Sequence, residues 1–100
     1  MTKNHLKVYK LVARIPRGKV LTYGAIGKYL DLNPRVVGNI LHQNPDPKNV
    51  PCHRVVNAKG GLAPSFAFGG EEKQRELLEN EGVIFIKNRV NLEKYLWEII

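Results

Sequence analysis

The sequence holds a single cysteine, Cys52, so no internal disulfide can brace the fold, which fits a reducing compartment. It has no apolar run near the roughly 20 residues that span a bilayer. Met1-Thr2-Lys3-Asn4-His5 is not followed by the apolar core of a signal peptide. A cytoplasmic location, or wherever the partner is, is the expectation. His5, His42, His53 and Cys52 have no zinc-like spacing, so neither a metal nor a cofactor is expected. Internal repeats and low-complexity tracts are absent. Acidic residues are scarce in one half only: residues 1–50 hold nine Lys/Arg against two Asp/Glu, whereas residues 51–100 hold seven of each. The whole excess of +7 therefore lies in the first half. A positive face of that kind looks for an anionic partner, with nucleic acid the leading candidate and a merely soluble basic surface the competing one.

With 43% hydrophobic and 25% charged residues, the composition is that of an ordinary soluble globular protein. The expected fold is mostly α with small β: one winged-helix-like helix-turn-helix domain over 1–100 with a short β-hairpin. Leu6, Tyr9, Val12 and Ala13 recur at helical spacing and predict a first helix from about Asn4 to Ile15. Pro16-Arg17-Gly18-Lys19 ends it. Thr22 reads as the N-cap of a second helix, Tyr23 to Leu30, with Ile26 and Leu30 inward. Gly24 and Gly27 weaken that helix unless something packs closely on them. After the turn Asp31-Leu32-Asn33, Pro34 suits the first position of a third helix running to about Gln43. Its apolar side would be Val36, Val37, Ile40 and Leu41, leaving Arg35, Asn39, His42 and Gln43 outside. Residues 22–43 thus form a helix-turn-helix pattern whose second helix would be the recognition helix.

A proline-rich loop, Asn44-Pro45-Asp46-Pro47-Lys48, follows. Asn44 either tethers this loop through its amide or simply stops the helix. The turn at 50–56 contains Pro51-Cys52-His53-Arg54-Val55-Val56. A histidine and an arginine beside the cysteine favour a thiolate, and Pro51 restricts the backbone entering the turn. A reactive thiol on a rigid turn and a small buried core cysteine are the two readings. The loop 57–70 has two glycine pairs bracketing small residues, Phe66 and Phe68. Its rings could wall a flat ligand or anchor the loop. Glu71–Glu81 reads as a helix with Leu77 and Leu78 inward and Gly82 as its stop. Val83–Ile86 and Arg89-Val90 predict a hairpin around Lys87-Asn88, and Leu92–Ile100 a last helix burying Tyr95, Leu96 and Trp97.

Thr22-Tyr23-Gly24, Arg35-Val36-Val37-Gly38, Asn44-Pro45, Pro51-Cys52-His53-Arg54-Val55-Val56, Gly69-Gly70 and Leu77-Leu78-Glu79-Asn80-Glu81-Gly82 occur together, in order. In this the chain resembles the DNA-binding, catalytic domain of the O6-alkylguanine-DNA alkyltransferases, over nearly its whole length. The resemblance implies that Cys52 takes the alkyl group from O6 of a damaged guanine and keeps it, once per molecule. It makes His53, through a water, the base that forms the thiolate, and Glu81 the group that orients His53. Tyr23 would press on the target phosphate and assist proton transfer to the departing guanine, and Asn44 would brace the cysteine turn. Arg35 would fill the gap left by the flipped base, with Thr22, Gly38, Asn39 and Arg54 as further DNA contacts. Val55, Val56, Ser65, Phe66, Phe68 and Gly69 would line the lesion pocket. The partner implied is double-stranded DNA carrying O6-alkylguanine, entered from the minor groove by a monomer, with no membrane involved.

Two departures stand out. Typical members carry a further N-terminal domain that this sequence does not include. The loop around Phe66 and Phe68 is also longer than in many members and has Phe where a tyrosine is often found. Alkyltransferase-like proteins, which share this domain and bind the lesion without removing the alkyl group, are the second reading. They typically have Trp in place of the reactive cysteine, so Cys52 argues against it. A winged-helix regulator with an incidental cysteine would explain the charge but not the set Cys52, His53 and Glu81.

Overall fold

A computed structural model describes residues 2–63 and 66–99 of the chain, which is mostly helical with small strands. Ser65, expected in the lesion pocket, lies outside the described residues.

The first helix, α1 (Lys3–Ala13), is capped by Thr2, whose side chain accepts from the His5 amide. Its buried face is Val8, Tyr9, Leu11 and Val12, followed by Ile15; Leu6 and Ala13, expected inward, are exposed. The reason is that α1 packs on both α2 (Tyr23–Leu30) and α3 (Pro34–His42), so its apolar stripe is centred on Val8 and Val12. Tyr9 satisfies its buried hydroxyl by donating to the Ile40 carbonyl at 2.8 Å, pinning α1 to α3.

Local chemistry sets the helix pair. Thr22 accepts from the Ala25 amide at 3.0 Å and Asn33 from the Arg35 amide at 2.8 Å, each satisfying a donor that the helix itself leaves unpaired. Asp31 closes α2 in the left-handed region (φ 58°). Gly27 carries the close approach that its low helix propensity demanded: a Cβ there would lie 2.4 Å from the Leu32 carbonyl oxygen. Gly24 has no such contact. On α3, Val37, Ile40 and Leu41 are buried, but Val36 is 38% exposed. At 100° per residue, a stripe centred on 37, 40 and 41 leaves position 36 at its edge.

Strand β1 (Leu21–Thr22) pairs in parallel with β2 (Val55–Val56), Leu21 opposite Val55 and Thr22 opposite Val56. Parallel strands need a long crossover, and here the helix pair and the proline loop provide it. The register has a consequence for chemistry. It sets the start of α2, with Tyr23, beside the strand that leaves the cysteine turn.

The fourth helix, α4 (Gly70–Asn80), ends at Glu81, with Gly82 beyond it at φ 91°. Gly82 N–H donates to the Glu79 carbonyl and Val83 N–H to that of Leu78, both near 3 Å, while Val83 and Leu78 pack in one cluster. This stop turns the chain where the Glu81 carboxylate must reach back. Strands β3 (Phe85–Ile86) and β4 (Arg89–Val90) form the expected hairpin, with Lys87 and Asn88 both at positive φ, the two-residue turn that fits strand twist. The last helix, α5, covers only Leu92–Tyr95. Leu96 is extended and 40% exposed, because residues 96–97 are drawn into a bridge with Val20: Val20 donates to the Tyr95 carbonyl at 2.9 Å and Trp97 donates back to that of Val20 at 2.8 Å. Trp97 is half-buried, with the Arg14 guanidinium 5.4 Å from its ring centre.

The core divides in two. One cluster joins α1, α2 and α3 to Cys52 and Val55, and the other joins Val20, Val56, Leu78, Val83, Val90 and Tyr95. The cysteine turn lies on the first, where β2 passes to the second.

Candidate functional site

Cys52, His53 and Arg54 form one turn of 3₁₀ helix leading into β2, and Cys52 and His53 are buried. Asn44 tethers the loop before it: its amide donates to the Val50 carbonyl at 2.8 Å and its oxygen accepts from the Asp46 amide at 3.0 Å. Cys52 N–H in turn donates to that same Val50 carbonyl at 2.7 Å.

On its far side the turn is clamped by the end of α4. His53 Nε2 lies 3.0 Å from Glu81 Oε2. Arg54 grips the same carboxylate with both arms of its guanidinium, Nε to Oε1 at 2.8 Å and NH2 to Oε2 at 2.7 Å, and gives NH1 to the Ile15 carbonyl at 2.7 Å. The guanidinium of Arg54, expected to contact DNA, is therefore committed inside the protein. Planar, bidentate pairing suits arginine to this position better than lysine.

The electrostatics follow from burial and these partners. Burial works to raise the pKa of Glu81, but the hydrogen bonds from Arg54 and His53 outweigh it and hold the carboxyl below the usual range. His53 is pushed below its ordinary value chiefly by burial, against the pull of Glu81. A neutral imidazole whose Nε2–H donates to Glu81 leaves the lone pair on Nδ1, able to take a proton. Burial pushes the Cys52 thiol up, while Asn44 and its own backbone N–H offset part of that rise. Burial, then the charge of a Cys52 thiolate, raises Tyr23 as well. Cys52 therefore rests as a thiol and needs a base before it can attack.

Two cavities meet at Cys52 and Phe66. The first, about 680 Å³, lies between α3 and residues 62–63 and 66–67 and is lined by Tyr23, Arg35, Gly38, Asn39, Cys52 and Phe66 among others. Arg35 is exposed at its rim, and Gly38 presents no side chain to the Tyr23 ring, from which a Cβ would be 3.9 Å away. The second, about 570 Å³, holds Cys52, His53, Arg54, Glu81, Phe66 and Phe68. The two phenyl rings meet edge to face at 5.8 Å.

Of the residues expected in the lesion pocket, Phe66 lines the first cavity and Phe68 only the second. Val55 and Val56 are fully buried core and line neither, because β2 is covered on both faces. Gly69 is the exposed N-cap of α4, where a Cβ would meet the Lys73 side chain at 2.7 Å. Thr22 caps α2 and lines neither cavity. Asn57, Leu62 and Ala63, within the loop 57–70 expected at the pocket but not singled out there, also line the first cavity, and sequence reasoning missed Gln74. Gln74 is a fully buried glutamine, with its carboxamide bonded to His53, Val55 and Ala63. Only its polarity on the inward side of α4 could have signalled it.

The DNA-binding domain of 6-O-methylguanine DNA methyltransferase matches residues 3–83. Alkyltransferase-like protein 1 of Schizosaccharomyces pombe is 37% identical over 98% of this chain and 97% of its own length. The methylated-DNA–protein-cysteine methyltransferase of Thermococcus gammatolerans is 46% identical over 77% of this chain, which spans only 43% of that relative. The crystal structure of S. pombe Atl1 in complex with damaged DNA containing O6-carboxymethylguanine superposes with a TM-score of 0.85 at 34% identity, covering 99% of this chain and 100% of that one. By sequence and by fold, the chain belongs to the O6-methylguanine-DNA methyltransferase family, whose DNA-binding domain it carries.

Proposed function

We propose that this protein binds duplex DNA containing O6-alkylguanine and takes the alkyl group onto Cys52 in a single, self-inactivating transfer. The observation that carries the reading is the Glu81–His53 pair next in sequence to a buried thiol that borders a cavity of about 680 Å³ also lined by α3, wide enough to admit a base. The Cys52 thiol gives its proton, through a water, to Nδ1 of His53, and Glu81 stabilises the imidazolium. The sulfur then attacks the alkyl carbon, a sulfur–carbon bond forms as the carbon–O6 bond breaks, and guanine leaves with a proton delivered through Tyr23. Arg35, exposed at the cavity rim, fills the gap in the stack. No metal, oxidant or cofactor enters this balance.

Lesion binding without transfer is the second reading. It is favoured by the end-to-end match to a relative named alkyltransferase-like, against matches to less than half of the curated methyltransferase above. Intact-protein mass spectrometry after incubation with an O6-methylguanine duplex separates the two. Transfer predicts a gain of one CH₂ mapped to Cys52 and lost in Cys52→Ala, which still binds the lesion. Tight lesion binding with no mass change would overturn the transferase and leave the sensor.

A further inference from the structure

Burying an amide costs free energy unless every polar atom finds a partner, and a methionine would fill the space of a glutamine without that cost. Gln74 is nonetheless fully buried on α4. Its Nε2 donates to the carbonyls of His53 (3.1 Å) and Val55 (2.9 Å), and its Oε1 accepts from the Ala63 amide at 2.8 Å. These partners belong to two parts of one site. His53 and Val55 flank the end of the 3₁₀ turn that presents Cys52, and carbonyls at the end of so short a helix have no partner within it. Ala63 is in the wall of the first cavity, where the flipped base would enter.

We infer that Gln74 is a positioning residue which ties the backbone of the Cys52–His53 turn to the wall of the lesion cavity through one side chain. Gln74 lines neither cavity, so it acts only through the groups it holds. Its bonds to the turn hold the backbone that carries both Cys52 and the His53 ring at its Glu81 partner, and its bond to Ala63 keeps the cavity wall in register with that turn. The inference rests on the reading of Cys52 as a nucleophile facing a lesion cavity.

The test uses the full chain with Gln74→Met, which fills the volume without hydrogen bonds, and Gln74→Asn, which keeps the amide one methylene short. Two readouts need no alkyl transfer. One is the pH profile of iodoacetamide alkylation, which reports Cys52 alone because it is the only cysteine. The other is the ratio of Kd values for plain and O6-methylguanine duplexes. Both variants are expected to shift the alkylation profile and to lower the affinity ratio roughly tenfold, the factor one hydrogen bond is worth. If either variant folds, at whatever melting temperature, with both readouts superimposed on wild type, Gln74 is packing only and the inference fails. A wild-type thiol inert to iodoacetamide would instead sink the nucleophile reading, leaving the affinity ratio to decide Gln74.

Discussion

The helix pair and the cysteine turn are built in opposite ways. The helix pair, α2 and α3, is held in shape by neighbours in sequence: Thr22 caps three residues ahead, Asn33 two residues ahead, and Gly27 meets the Leu32 carbonyl. The cysteine turn borrows almost everything from afar. His53 and Arg54 reach Glu81 across 28 and 27 positions, Arg54 reaches Ile15 across 39, and Gln74 reaches back across 21. A surface that meets DNA must keep its side chains free, so its scaffold is local. A buried thiol, histidine and arginine must instead be surrounded by partners, and a 3₁₀ turn of three residues cannot supply them by itself. The difference predicts that damage at the turn costs stability and chemistry together, whereas damage on the helix face costs recognition alone.

Glu81→Ala tests the first half most severely. It leaves the Arg54 guanidinium without its carboxylate and removes the partner of His53, and stability should fall by roughly 3 kcal/mol, as for other broken buried pairs. Transfer to Cys52 should slow by about a hundredfold or more as the base loses its orienting group. A urea melt unchanged from wild type would mean that the clamp is ornamental.

Acid reaches the same pair without mutation. Both His53 and Glu81 are held below their ordinary values, so the unfolded chain binds more protons than the native one as pH falls. Stability should therefore be level above the ordinary histidine value of 6.5 and decline below it, declining further as pH passes below 4.5. In Glu81→Ala the lower part of that decline should flatten. Melting temperatures from about pH 2 to pH 8 would show it, and an undiminished slope below 4.5 in the variant would assign the acid sensitivity elsewhere.

On the helix pair the effects shrink. Thr22→Ala removes one cap bond and should cost about 1 kcal/mol in a denaturant melt. Because Thr22 also pairs with β2 through its backbone, which the substitution leaves in place, the iodoacetamide profile of Cys52 should not move. A moved profile would erase the contrast between the two regions. Smallest of all in stability is Arg35→Ala, expected within about 0.5 kcal/mol of wild type because the side chain is exposed. Its effect should appear as slower transfer from duplex DNA with little change for a single-stranded substrate, whose base needs no flipping. Equal loss on both substrates would remove the stack-filling role.

The same division explains what could be read in advance. The ends of α2 and α3, the Gly82 stop and the hairpin turn at Lys87-Asn88 were legible because each rests on side chains or backbone conformations within a few residues. Leu6 and Val36 were misplaced because helical spacing shows that an apolar stripe exists, not where its neighbours centre it, and Leu96 because the bridge to Val20 ends α5 at Tyr95. Arg54 was expected at the DNA only through the family resemblance, and nothing within a few residues of it announces Glu81, 27 positions away.

By itself, then, the sequence determined the first four helices, the caps Thr22 and Asn33, the Gly82 stop, the basic first half and the presence of Cys52, His53 and Glu81. Only the tertiary structure decided that Arg54 faces inward to Glu81, that Val55 and Val56 are core, and that Gln74 joins the turn to the cavity wall. The physical reason is range. Caps and turns are satisfied within a few residues of chain, but a buried charge or amide must find its partner wherever the fold brings one.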